Sequence, residues 1–163
     1  MAHPDPVLIA GGGIAGLATA LALAKRSIPS RILEQRPQPS EAGAGIQIGP
    51  NGVRALTALG VAPRLAPRAS RPTEIVVHQG ASGRILARMP LGDWIEERHG
   101  APYWVVHRRD LQAALLAAIA AEPLIEFITG VTISTAAAHG DHVDVRSTTG
   151  DTLRGAVLIG ADG

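Results

Sequence analysis

The chain contains no cysteine, which excludes disulfides, thiolate catalysis and cysteine-ligated metals. Aromatic residues make up only 2% of it, so Trp94, Tyr103 and Trp104 are expected to pack at a domain edge rather than form a ring-stacking surface. An excess of one charge is also lacking. Fifteen basic residues oppose fourteen acidic ones for a net charge of +1, and no nucleic-acid partner is expected. Val7 to Ala24 reaches the length of a membrane-span candidate, but three consecutive glycines interrupt it and no lysine or arginine precedes it. Neither a membrane association nor an export signal is expected, and the location is expected to be cytoplasmic. At 163 residues, 46% hydrophobic and 18% charged, the chain reads as one soluble globular domain that buries roughly two-thirds of its unfolded surface.

What is present is concentrated near the start. Val7-Leu8-Ile9-Ala10 is an apolar run of the kind found in a parallel strand covered on both faces. It leads into Gly11-Gly12-Gly13-Ile14-Ala15-Gly16 and an alanine-rich helix expected over 14–26. Arg31-Ile32-Leu33-Glu34 then forms a second strand that ends in an acid. Gly11 permits the tight turn, Gly13 lets the backbone approach a pyrophosphate, and Gly16 lets the helix pack closely on the strand. Ile14 and Ala15 open the helix whose N-terminus faces the phosphate charge. Glu34 sits where a ribose hydroxyl needs an acceptor, and Gln35 and Arg36 follow it. A carboxylate there disfavours a ribose 2′-phosphate, an exclusion that Arg36 weakens. NAD and FAD both remain open on this motif, and the bland alternative is an ordinary β-α turn with an incidental surface acid.

Further along, residues 35–40 read as a loop and 41–49 as a glycine-rich turn into an extended segment. A helix is expected over 53–59, with Asn51 as N-cap and Gly60 as stop. Residues 61–72, rich in proline and arginine, read as surface crossover. Strands over 74–78 and 84–89 make a hairpin, 103–107 is a third strand, and 110–121 is a helix capped by Asp110. Strands follow over 125–134, 142–147, 152–154 and 156–159. The order suits an α/β fold, a Rossmann-like three-layer domain with a β-meander insertion, spanning 1–163. Nothing follows the last strand and its turn, so the chain is expected to be truncated.

Five ordered motifs support a family resemblance. They are the glycine fingerprint, Leu33-Glu34-Gln35-Arg36, the run from Gly43 to Asn51, His107-Arg108-Arg109-Asp110-Leu111, and Gly160-Ala161-Asp162-Gly163. In this order they resemble the FAD-dependent aromatic hydroxylases, the group A flavoprotein monooxygenases. Pro90-Leu91-Gly92-Asp93-Trp94 and the segment after Arg98 are most similar to the salicylate hydroxylase and 3-hydroxybenzoate 6-hydroxylase branch. The resemblance implies FAD as cofactor, NADH or NADPH as electron donor, O2 and a small aromatic carboxylate as partners, and a homodimer at full length. It implies that Gly11, Gly13 and Gly16 meet the FAD pyrophosphate and Glu34 the adenosine ribose. It places Arg108 at the phosphate-ribityl region, Asp162 at a second flavin contact and Gln47 near the flavin ring.

Arg109 is left to solvent. The substrate domain is expected to be absent from this chain, so no catalytic acid or base is named and the chain alone is expected to bind FAD weakly or not at all. The alternatives are an FAD- or NAD-binding module of another oxidoreductase, or a non-catalytic nucleotide-binding module. No metal site is expected, because His139 and His142 straddle a turn with no evident third ligand. Serine-hydrolase chemistry has no nucleophile-elbow context.

Overall fold

The structure, a computed structural model, describes residues 5–38 and 44–163. Two compact units divide the chain, one made of Met1–Ala42 with Gln112–Gly163, the other of Gly43–Leu111. The first opens with strand β1 (Val7–Ala10), helix α1 (Ile14–Ala24) and strand β2 (Ser30–Glu34). The second holds β3 (Gly45–Ile48), α2 (Pro50–Ala58), α3 (Ala62–Leu65), β4 (Glu74–His78), β5 (Ile85–Pro90), α4 (Asp93–His99) and β6 (Trp104–His107). Helix α5 (Arg108–Ile119) leads back into the first unit. That unit closes with β7 (Ile125–Thr129), β8 (Ile133–His139), β9 (His142–Ser147), β10 (Thr152–Gly155) and β11 (Val157–Gly160).

In the first unit β1 lies between β2 and β11, and β7 flanks β2, giving a parallel sheet of order β11-β1-β2-β7. Consecutive antiparallel strands β8, β9 and β10 form the meander. Residues of β1 are apolar throughout because both faces of the sheet are covered. Leu8 and Leu33 join Val143 and Val145 of the meander in one core cluster. Ile9 belongs to the helix side, where a β-carbon on Gly16 would lie 3.4 Å from its Cγ2. Leu17 and Ala20 of α1 are fully buried. Helix, parallel sheet and meander are the three layers the sequence implies. Complete burial of each Leu or Ile contributes about 1.5–3 kcal/mol.

Helix α1 ends at Ala24, two residues before the expected end, because Ser27 turns left-handed at φ 59° and Ile28 N–H bonds the Leu23 carbonyl. The strand expected over 125–134 is two strands. Gly130 at φ 75° breaks it, sending β7 into the parallel sheet and β8 into the meander.

The second unit corrects several expectations. Pro50 occupies the first turn of α2 with Gly49 as N-cap, so Asn51 lies inside the helix and does not cap it. The segment read as surface crossover contains α3, and Val61 and Leu65 within it are fully buried. Helix α4 has no counterpart in the sequence reading. Strand β6 pairs with β3, whereas β4 and β5 pair with each other in a separate two-stranded hairpin. Helix α5 starts at Arg108, so Asp110 sits in its first turn and accepts a bond from Arg68 Nη1 at 2.9 Å. His107 Nδ1 takes the capping role, accepting the Arg109 N–H at 3.2 Å. Residues 39–43, which include part of the expected glycine-rich turn, lie outside the described residues. No helix among the described residues is long and apolar enough to cross a membrane.

Candidate dinucleotide site

The carboxyl ends of β1, β2 and β11 place three sequence motifs in one unit: the glycine loop, Glu34-Gln35-Arg36 and Ala161-Asp162. Crevices at such strand ends are where open parallel sheets bind nucleotides. Each glycine of the loop answers a different constraint. Gly11 adopts φ 110°, and a β-carbon there would overlap the Ala161 carbonyl. The Ala161 N–H donates to the Ala10 carbonyl at 2.7 Å, fixing the Asp162 turn beside the loop. A β-carbon at Gly16 would overlap the Gly11 carbonyl oxygen, so only glycine lets α1 start this close to β1.

Gly13 is different. Its backbone is extended at φ −76°, ψ −177°, open to any residue, and a β-carbon there would meet no described residue within 4 Å. Among the described residues nothing gives a packing reason for glycine at this position. A diphosphate seated on a helix N-terminus has to approach the main chain closely, and a side chain at such a position would stand in its way. Gly13 is also the N-cap of α1, with no side-chain capping bond and no acid in the first turn. Among the described residues, the N–H groups of Ile14, Ala15 and Gly16 therefore have no side-chain acceptor at the positive end of the helix.

Glu34 is held rather than merely near. Its Oε2 accepts the Gly12 N–H at 2.7 Å and its Oε1 the Arg36 N–H at 2.8 Å. A carboxylate offers about four acceptor positions, so each oxygen keeps capacity for a hydroxyl donor. Arg36 and the Glu34 main chain are tied in turn to Gly130 and Val131 through backbone bonds of 3.3 and 2.9 Å. Gln35 and Arg36 are exposed. Gly12 is a residue to which the sequence reading gave no role. A β-carbon on it would lie 2.8 Å from the Phe127 ring and 3.0 Å from Glu34 Cβ, so it must be glycine for Glu34 to reach its N–H. The middle glycine of the three in a row, one more than the fingerprint needs, was the available signal.

Gln47 and Arg108 belong to the second unit. Gln47, on β3, accepts a bond from Tyr103 Oη at 2.7 Å. Arg108 is exposed, and its backbone N–H donates to the Ala44 carbonyl at 3.1 Å. Arg109 is exposed as expected. Trp104 is buried with its indole N–H unpartnered among the described residues, and it borders a cavity of about 550 Å³ with Val53, Thr57 and Pro102. None of the cofactor residues read from the sequence lines that cavity.

Elsewhere in the first unit the turn between β8 and β9 gathers His139, His142 and Asp144. Asp144 is the third group that the sequence reading did not find. The His142 ring nitrogen holds the Asp141 carboxyl below the ordinary aspartate value, and Arg154 does the same for Asp144.

Comparison with known proteins gives a consistent picture. The profile described as FAD binding domain matches residues 5–163. The chain is 41% identical over 158 residues to a 3-hydroxybenzoate 6-hydroxylase from Polaromonas naphthalenivorans, covering 97% of this chain and 40% of that protein. It is 38% identical to a 3-amino-4-hydroxybenzoate 2-monooxygenase from Streptomyces cremeus, covering 96% of this chain and 39% of the relative. The chain thus spans about 40% of the length of the curated relatives it matches. Among solved structures, a Klebsiella pneumoniae HpxO variant complexed with FAD superposes with a TM-score of 0.83 at 26% identity, over 98% of this chain and 40% of that one.

Proposed function

Because the chain belongs to the FAD binding domain family, we propose that it is the cofactor-holding part of an NAD(P)H-dependent flavoprotein monooxygenase that hydroxylates a phenolic or aromatic carboxylate. The observation that carries the cofactor assignment is the open space in front of Gly13, beside helix N–H groups without a side-chain acceptor among the described residues and a pre-oriented carboxylate. Gly11 and Gly16 shape the loop. Gly13, Ile14 and Ala15 offer main-chain contact to the diphosphate, and Glu34 accepts from the adenosine ribose. Gln35 and Arg36 border the adenosine, and Asp162 contributes from the turn packed on Gly11. Gln47 and Arg108 are proposed as further flavin contacts on the family resemblance, Arg108 because a guanidinium offers forked, permanently charged donors to a phosphate.

Bound FAD supplies the electron-transfer and oxygen chemistry, and the protein supplies placement and electrostatics. The aromatic-acid substrate class rests on the relatives named above. NADH or NADPH as donor, O2 as co-substrate, a homodimer and a cytoplasmic location are carried over from the resemblance in the same way.

The test uses a protein of the relatives' length that carries this chain. Denaturation should release FAD, and 3-hydroxybenzoate or a related hydroxybenzoate should drive NADH or NADPH oxidation with a ring-hydroxylated product. Release of NAD instead would overturn the cofactor assignment. Release of FAD without any hydroxylated product across the hydroxybenzoates would leave a different flavin reaction.

A further inference from the structure

We propose that His139, His142 and Asp144 form a divalent transition-metal site of the zinc class on the β8–β9 hairpin. The register dictates the cluster. His139 pairs directly with His142 across the turn, and Asp144 follows two residues along β9, so all three side chains share one face. One ligand atom from each lies within 4.8 Å of the other two. Asp144 Oδ2 is 3.5 Å from His139 Nε2 and 3.7 Å from His142 Nε2. The edge of a tetrahedron drawn around zinc with ordinary bond lengths is about 3.4 Å. Little movement separates this arrangement from three ligands on one ion, with the fourth position facing water.

The surroundings favour the ligating form. His142 Nδ1 lies 2.6 Å from Asp141 Oδ1. With the proton on Nδ1, donated to that carboxylate, the Nε2 lone pair points to the cluster, the arrangement by which an outer carboxylate orients a metal-bound imidazole. Arg154 Nε donates to Asp144 Oδ1 at 3.1 Å and its Nη2 lies 3.5 Å from Oδ2, so the carboxylate is oriented and the weaker of these contacts yields to a cation. The imidazole rings stack with centroids 4.7 Å apart. Two neutral imidazoles and one carboxylate select zinc-like ions over magnesium or calcium. Bound there, the ion clips β8 to β9 beside Val143, which the meander packs into the core.

Calorimetric titration of the full chain with zinc chloride near neutral pH is expected to show one ion per chain, and zinc is expected to raise the melting temperature. His139→Gln and Asp144→Asn should each lower affinity at least tenfold. Asp141→Asn, which touches no ion, should lower it by about tenfold as well. His78→Gln, on the β4–β5 hairpin of the other unit, should change nothing. In the unsubstituted chain, zinc should shift the ring NMR signals of His139 and His142 together. Absence of saturable binding, unmoved His139 and His142 signals, or full affinity in both Gln and Asn variants would overturn the proposal.

Discussion

At the residue scale the loop separates folding from binding. Gly13→Ala places its methyl in empty space at an ordinary backbone conformation, so thermal stability should change by no more than about 0.5 kcal/mol while nucleotide binding falls. Gly16→Ala drives a methyl into the Gly11 carbonyl and should cost about 1–3 kcal/mol or more of stability, read as a lowered unfolding midpoint. Equal stability losses in the two variants would contradict this division. Glu34 adds a second contrast, because both of its partners among the described residues are N–H donors. Glu34→Gln must turn an amide NH2 toward one of them. It should weaken the loop by about 1–2 kcal/mol in a denaturant melt and weaken FAD binding as well, whereas unchanged values for both would remove Glu34 from the site. The turn role of Gly11 and the packing role of Gly16 were legible because the fingerprint spaces them regularly. Gly12 was not, since its constraint comes from Phe127, far along the chain.

At the element scale, patterns were readable where one periodicity ruled and failed where composition misled. The prolines and arginines of residues 61–72 suggested a loop, yet Val61 and Leu65, four apart, form a buried helical stripe. Leu65→Ala is therefore expected to destabilise by about 2–5 kcal/mol, and a loss below 0.5 kcal/mol would restore the surface reading. The cap of α5 was assigned to Asp110, but the helix starts one residue after His107, and that imidazole serves instead. The β8–β9 hairpin carries a pH prediction. Asp141 and Asp144 are held below the ordinary aspartate value of 3.8 by His142 and Arg154. Depressed folded-state values mean that their stabilisation is present above that ordinary value and is lost as pH falls through the folded ones. NMR titration should find both carboxyl midpoints below 3.8, and a midpoint at or above it would remove these bonds from the hairpin's stability.

At the scale of the whole molecule, fold class and the inserted meander followed from the order of apolar runs and turns. Strand order did not. Pairing of Val7 with Val157 brings opposite ends of the chain together, and no local pattern encodes such a long-range choice. Nor did the sequence announce that residues 43–111 fold as a compact unit of their own. The parallel sheet sets the ends of β1, β2 and β11 side by side, so that a loop, an acid and a turn converge. The most direct measurement is an FAD titration of a protein of the relatives' length carrying this chain, with and without Gly13→Ala, alongside thermal melts of both. The expected result is a loss of at least tenfold in affinity, about 1.4 kcal/mol, with the melting temperature unmoved. Equal affinity for FAD in the two proteins would contradict a diphosphate seated against Gly13.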